Sequence, residues 1–125
     1  MIREKLRSAP LFREFTDRDF DELLALLDPV KVPAGTIVVE QDDPGDAMFA
    51  VLDGELAGTG EAPPRFTAGA VLGELALIDR APRAMTITAV APTTVLVIDQ
   101  PTFTRALARW PEFGGALLRT LAARA

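Results

Sequence analysis

The sequence predicts a mainly β domain with flanking helices, built as an antiparallel sandwich or jelly roll. Between positions 30 and 99 it consists of short runs, often β-branched, separated by turn signals such as Pro33-Ala34-Gly35. Short strands at such close spacing are typical of sandwiches and jelly rolls. Outside this region the apolar residues recur at helical spacing instead. The predicted strands lie at 30–32, 36–40, 47–52, 55–57, 64–67, 70–72, 84–90 and 93–99.

An N-terminal helix is predicted from Asp17 to Leu27. Thr16 followed by Asp19 has the pattern of a capping box, which places the start of the helix at this point. Upstream apolar residues, including Phe12, indicate a further short helix or turn beside it. The apolar positions that recur with helical period are Phe20, Leu23, Leu24, Leu26 and Leu27.

Two helices are predicted after Asp99. Pro101 suits the first position of a helix, and Pro111 ends that helix and can begin the next one. The second helix contains Gly114-Gly115, which costs roughly 1 kcal/mol per glycine relative to alanine. Either a joint that moves or a close helix contact would explain the pair. The apolar positions are Phe103, Leu107 and Trp110 in the first helix and Phe113, Leu117, Leu118 and Leu121 in the second.

Composition excludes most kinds of enzyme. The 125 residues, the size of one domain, include no cysteine and no histidine. These absences exclude a thiolate nucleophile, a Ser-His or Cys-His dyad and the common zinc and haem sites. Ser8 is the only serine, and no pair of carboxylates has an obvious reason to converge. The sequence therefore predicts a protein that is not an enzyme and that uses no metal.

The charge pattern argues against nucleic acid as a partner. The net charge is −5, from 18 acidic and 13 basic residues, and the arginines are scattered. A protein that binds a phosphate backbone normally has a basic surface. The apolar runs are too short to span a membrane, and the charged N-terminus lacks the apolar segment of a signal peptide. We therefore expect a cytoplasmic domain without membrane or nucleic-acid partners.

The most informative segment is 72–84. It places the Glu74 carboxylate and the Arg83 guanidinium nine residues apart, with a short apolar stretch between Gly73 and Pro82. That stretch can form one helical turn whose free N–H groups face an anion. An arginine from the far side would add a planar cation for phosphate, and the carboxylate would accept from hydroxyl groups. The combination suits a sugar phosphate.

This segment resembles the phosphate-binding cassette of cyclic nucleotide-binding domains. Such domains occur in regulatory subunits of cyclic-AMP-dependent kinases, in cyclic-nucleotide-gated channels and in the bacterial cyclic-AMP receptor protein. The match has no gap and includes the kinase-type Pro-Arg-Ala ending. The residues that match are Gly73, Glu74, Leu75, Ala76, Arg83 and Ala84.

The resemblance implies a role for each matching residue. Glu74 would accept from the ribose 2′-hydroxyl, and Arg83 would contact the cyclic phosphate with two donors. The other reading of Glu74 is a surface carboxylate, and that of Arg83 is an ion pair with Asp79 or Glu74. The residues expected to bring backbone N–H groups to the phosphate are Gly73, Leu75, Ala76 and Ala84. The flanking strand positions expected at the pocket are Val71, Leu72 and Thr86.

The resemblance covers essentially the whole chain and implies one domain, 1–125. Its parts would be a helical segment at 1–28, a double-stranded β-helix or β-roll at 29–99 and C-terminal helices at 100–125. The last helix would be a lid over the base. Arg119 or Arg124 would then stack on the purine or remain solvated.

We therefore expect a sensor that binds a cyclic nucleotide and acts through closure of its C-terminal helices. Alanine at position 84 offers no hydroxyl to guanine, which favours cyclic AMP over cyclic GMP. The alternative is a degenerate member that serves as an interaction or dimerisation module, and a homodimer is open in either case. A cupin-like enzyme on a similar β-roll is disfavoured, because most such enzymes hold a metal with histidines.

Overall fold

The structure is a computed structural model of the chain. The residues that it describes are 4, 7, 12–27, 29–44, 47–73, 82–83 and 85–124. For positions 120, 121, 123 and 124 the description covers the backbone alone.

Two four-stranded antiparallel sheets form the centre of the molecule. One has the strand order β1-β8-β3-β6, and the other has the order β2-β7-β4-β5. Successive strands alternate between the sheets in places, which is the jelly-roll arrangement that the strand spacing predicted. The strands are β1 (Pro29–Val32), β2 (Ile37–Val39), β3 (Ala47–Asp53), β4 (Glu55–Ala57), β5 (Arg65–Thr67), β6 (Val71–Leu72), β7 (Ile87–Ala89) and β8 (Thr93–Asp99).

The strand β7 is shorter than the predicted run 84–90. Thr86 lies just before it, and its Oγ1 accepts from the backbone N–H of Gln41 at 3.0 Å. A side chain thus supplies the acceptor at this point instead of a strand neighbour. In the pairing of β2 with β7 the register shifts between Ile37 and Val39, which shortens the regular ladder further.

Helices flank the sheets as predicted: α1 (Asp17–Ala25), α2 (Gln100–Arg109) and α3 (Pro111–Arg124). Thr16 caps α1 by accepting from the Asp19 N–H at 3.1 Å. The helix ends at Ala25, two residues before the predicted Leu27. Asp99 caps α2, so this helix begins one residue before Pro101.

The sheet β1-β8-β3-β6 separates two apolar cores. Alternation along β3 sends Met48 and Ala50 to a core shared with the helices, and Val51 to the core between the sheets. Aromatic rings dominate the helical core, with Phe113 stacked on Phe12 at 6.5 Å between centroids. This sheet therefore connects the helices with the interior of the β-roll.

Candidate functional site

Gly73 lies where β6 ends and where the predicted cassette begins. Its φ is +87°, a conformation that side chains with a Cβ rarely adopt. A Cβ at this position would lie 2.7 Å from Nη1 of Arg83 and 3.1 Å from the carbonyl oxygen of Ala47. The backbone conformation therefore favours glycine, and an added Cβ would in addition crowd the Ala47 carbonyl and displace the Arg83 guanidinium.

The backbone of Arg83 is fixed by the turn that precedes β3. Its N–H donates to the carbonyl of Asp43 at 2.9 Å, and its carbonyl accepts from the N–H of Asp42 at 2.9 Å. Pro44 and Pro82 form an isolated antiparallel bridge beside these bonds. These contacts hold the main chain of Arg83 against residues 42–44.

The guanidinium of Arg83 is held by backbone carbonyls at the ends of two strands. Nη1 donates to the carbonyl of Gly73 at 3.4 Å, and Nη2 donates to that of Ala47. Its carbon lies 5.9 Å from the centroid of the Phe49 ring, within cation–π range. Arginine stays charged at any physiological pH. The result is a half-buried, oriented cation beside the end of β6.

Three further predicted pocket residues lie on β6 or just before β7. Val71 is half-buried opposite Ala50 and packs against the helical core. Leu72 is 5% exposed and belongs to the core between the sheets, so its side chain has a packing role. Thr86 is half-buried, and its hydroxyl oxygen accepts from Gln41 N–H.

The remaining predicted ligand residues lie outside the described residues: Glu74, Leu75, Ala76 and Ala84. Their roles in binding ribose and phosphate stay predictions. The structure thus brings together Gly73 and Arg83, which open and close the motif.

Sequence reasoning missed the partners that position Arg83. Ala47 and Phe49 appeared only as parts of the predicted strand 47–52, and Asp43 was not singled out. A carbonyl acceptor has no signature in sequence, since every residue has one. The one available signal was Phe49, an aromatic ring in a strand next to an acidic, proline-containing turn.

The predicted lid residue Arg119 has a partner in this structure. Its Nη2 donates to Oε2 of Glu14, which links α3 to the segment before α1. Both side chains are largely exposed, so the pair contributes little stability. The side chain of Arg124 lies outside the described part of the chain.

Asp99, the residue that caps α2, has a lowered pKa. Hydrogen bonds from the backbone and side chain of Thr102 lower the pKa of this carboxyl against an opposing effect of burial, and the nearby charge of Arg105 lowers it slightly further. No cluster of three acidic residues able to hold a metal occurs in the part of the chain that the structure describes. Within that part, no helix is both long and apolar enough to cross a bilayer.

Comparison with known proteins identifies the family. The profile of the cyclic nucleotide-binding domain matches residues 29–109, from the start of β1 to the end of α2. The chain belongs to the cyclic nucleotide-binding domain family. Domains of this family bind cyclic AMP or cyclic GMP as a ligand. The resemblance found in the sequence is confirmed, and the observed architecture is the β-roll of this family.

Individual relatives agree with this assignment. The chain is 31% identical over 111 residues to the cAMP-dependent protein kinase regulatory subunit of Emericella nidulans. This match covers 86% of the chain and 27% of the relative. The chain spans about a third or less of the length of the first curated relatives that it matches.

Solved structures show the same cyclic nucleotide-binding fold. The N-terminal domain of a Streptomyces coelicolor transcriptional regulator superposes with a TM-score of 0.81 at 30% identity, over 96% of this chain and 89% of that one. The regulatory domain of Toxoplasma gondii PKA, crystallised with cAMP, gives a TM-score of 0.72 at 27% identity. That match covers 83% of this chain and 42% of the other.

Proposed function

We propose that this chain is a regulatory cyclic nucleotide sensor that binds cyclic AMP in preference to cyclic GMP and does not alter it chemically. The observation that carries the proposal is the Arg83 guanidinium, oriented by the carbonyls of Gly73 and Ala47 at the end of β6. A cation fixed in this way can donate to a phosphate without losing much side-chain entropy on binding. The complex of the Toxoplasma domain with cAMP supports the choice of ligand.

The N–H groups that follow Gly73 are the proposed complement to this cation. Residues Leu75, Ala76 and Ala84 are small or apolar, which allows backbone donors to approach phosphate oxygens closely. Glu74 would accept from the ribose 2′-hydroxyl. Val71 and Thr86 would border the sugar and base, and Leu72 would support them from the core.

Regulation would follow from differential affinity. Cyclic nucleotide favours the state in which the C-terminal helices close over it, and a useful switch needs about 1–3 kcal/mol of coupling. We propose that residues 1–125 act as one domain in this transition. We also propose that the chain acts in the cytoplasm and that its effector lies on another chain or on a further segment of the same protein.

Calorimetric titration of the purified chain with cyclic AMP and cyclic GMP tests the proposal. Loss of a charge-assisted contact typically costs about 1.5–3 kcal/mol, so we expect Arg83→Ala to weaken cyclic AMP binding about tenfold or more. Arg65→Ala is the matched control, because Arg65 is an exposed arginine that pairs with Glu55 in the other sheet. This control should bind normally.

A second titration uses 2′-deoxy cyclic AMP to examine Glu74. The wild-type chain should bind it more weakly than cyclic AMP, and the Glu74→Ala variant should bind the two nucleotides equally, since the acceptor is gone. Unchanged affinity in Arg83→Ala would contradict the proposed site. Absence of binding by the wild-type chain would favour a degenerate domain that serves protein interaction.

A further inference from the structure

A groove separates α1 from the C-terminal half of α2 on the helical side of the molecule. It encloses about 690 Å³. Its apolar lining includes Leu26, which is 54% exposed, and the Trp110 ring, which is 3% exposed. Ala25 and Ala108 line it as well, and such small side chains let another backbone come close. Leu26 therefore exposes a large apolar side chain in this lining, next to a buried tryptophan.

The charged lining of the groove is predominantly basic. Among the residues that the structure describes, it comprises Arg105 and Arg109, one helical turn apart on α2, and Glu22 on α1. Glu22 accepts from Arg109 at 2.9 Å and from Arg18 at 3.3 Å, so Arg109 is paired within the groove and Arg105 is not paired with a lining carboxylate. The described lining thus has two cations and one carboxylate, although the chain as a whole has a net charge of −5.

Arg109 also covers the wall of the groove. Its guanidinium carbon lies 5.5 Å from the centroid of the Trp110 ring. The indole Nε1 of Trp110 is enclosed and donates to no acceptor within the described ranges. Buried donors usually have an acceptor. Trp110 thus has a buried donor without a described acceptor, and its ring lies beside a cation that lines the groove.

We propose that the groove between α1 and α2 binds an acidic amphipathic helix of a partner protein. An apolar side chain of that helix would lie against Leu26 and the Trp110 ring. Carboxylates one turn apart on it would face Arg105 and Arg109 in charge-assisted hydrogen bonds. Two helices that border an open groove offer ridges for a third helix. The proposal rests on different residues from those of the nucleotide site and does not depend on it.

The experiment uses the full chain and a synthetic helix-forming peptide of about 16 residues, a length that can form a helix in isolation. One peptide carries leucines on one face and glutamates on its borders. A second has the same sequence with lysine in place of each glutamate. Trp110 is the only tryptophan of the chain, so its intrinsic fluorescence reports on the groove without a label. We expect saturable binding of the acidic peptide, and binding of the basic peptide at least tenfold weaker.

Two variants test whether the change in Trp110 fluorescence arises from binding in the groove. Leu26→Glu and Arg105→Glu should each weaken acidic-peptide binding at least tenfold. Leu118→Glu is the matched control, since Leu118 is 71% exposed on α3 and does not line the groove. The control should bind like the wild type. Circular dichroism of each variant confirms that it is folded.

Three outcomes would overturn the proposal. They are absence of a saturable fluorescence change with the acidic peptide, equal binding of the acidic and basic peptides, or unchanged binding in Leu26→Glu and Arg105→Glu. A change in Trp110 emission with protein concentration alone, accompanied by dimers in sedimentation, would overturn it too. The groove would then be occupied by a second copy of the chain.

Discussion

Gly73 and Arg83 constrain each other. A Cβ at position 73 would be 2.7 Å from Nη1, so the guanidinium would have to shift from its place beside the two carbonyls at the strand ends. The glycine, in turn, ends β6 in a left-handed conformation that directs the chain into the cassette. A substitution at either position should therefore affect the same cation.

The first prediction distinguishes two effects of a side chain at position 73, which are displacement of the Arg83 guanidinium and backbone strain. Gly73→Ala should destabilise the fold through a left-handed alanine, which costs about 1–2 kcal/mol, and should also displace the guanidinium and weaken cyclic AMP binding. Gly35→Ala is the matched control, because Gly35 has a φ of +91° and a Cβ added to it would meet no atom within 4 Å. Urea unfolding and calorimetry measure the two effects. Equal loss of affinity in both variants would contradict this account.

The second prediction concerns pH and Asp99. Hydrogen bonds from Thr102 hold the pKa of this carboxyl below its ordinary value of 3.8, with Arg105 acting in the same direction. A lowered native pKa stabilises the fold above the pKa of the unfolded state, and this contribution disappears as pH falls through the native pKa. Asp99→Asn retains a capping acceptor but cannot titrate.

Thermal unfolding of both chains from neutral pH into the range below 3.8 tests this expectation. The wild type should be the more stable chain at neutral pH, and the difference between the two should shrink toward the acid end. A difference that grows on acidification would have the wrong sign for a lowered pKa.

At the scale of elements, the structure bears on the two explanations for Gly114-Gly115 in α3, which are a close helix contact and a joint that moves. A Cβ at Gly114 would lie 3.7 Å from Leu107, and one at Gly115 would lie 3.5 Å from Nη1 of Arg119. Both distances are ordinary van der Waals contacts, so close packing does not require glycine at either position. A joint that moves stays a prediction, which the following variants test.

The third prediction follows for α3. Gly114→Ala and Gly115→Ala should each raise the free energy of unfolding by about 1 kcal/mol, since alanine loses less backbone entropy in a helix. Chemical denaturation measures this change, with Gly35→Ala as the destabilising counterpart. If α3 bends at this pair, the stiffened variants should also show altered cyclic AMP affinity. Loss of stability would indicate a packing role instead.

The elements were predictable because their signals are local. Short β-branched runs, the cap at Thr16 and the breaker Pro111 each act within a few residues, and the structure has strands and helices where they indicated. The contacts of Arg83 were not predictable in this way. They depend on pairing of Asp43 with Arg83 and on the carbonyl of Ala47, which are distant in sequence and leave no pattern of residue types. The helix ends differed by one or two residues for a related reason, since fraying and capping depend on tertiary context.

At the scale of the whole molecule, β3 connects the candidate site with the helices. Its first residue, Ala47, provides a carbonyl to Arg83, and Phe49 lies against the guanidinium. Between them Met48 is fully buried in the helical core, among residues of α1, α2 and α3. A ligand that bound to Arg83, as proposed, would therefore act on a strand whose opposite face packs against the helices.

The last prediction tests this connection in unfolding experiments with and without cyclic AMP. Trp110 fluorescence reports on the helical core, and far-ultraviolet circular dichroism reports on sheets and helices together. Because both cores share one sheet, the two signals should change at the same temperature, as expected for a cooperative unit. A ligand at 100 times its Kd should stabilise that unit by about 2.7 kcal/mol and shift both signals equally. At the same ligand concentration Arg83→Ala should lose at least about half of the shift, since a tenfold weaker affinity leaves about 1.4 kcal/mol, whereas Arg65→Ala should preserve it. A ligand shift in circular dichroism without one in Trp110 fluorescence would mean that the β-roll binds nucleotide independently of the helices.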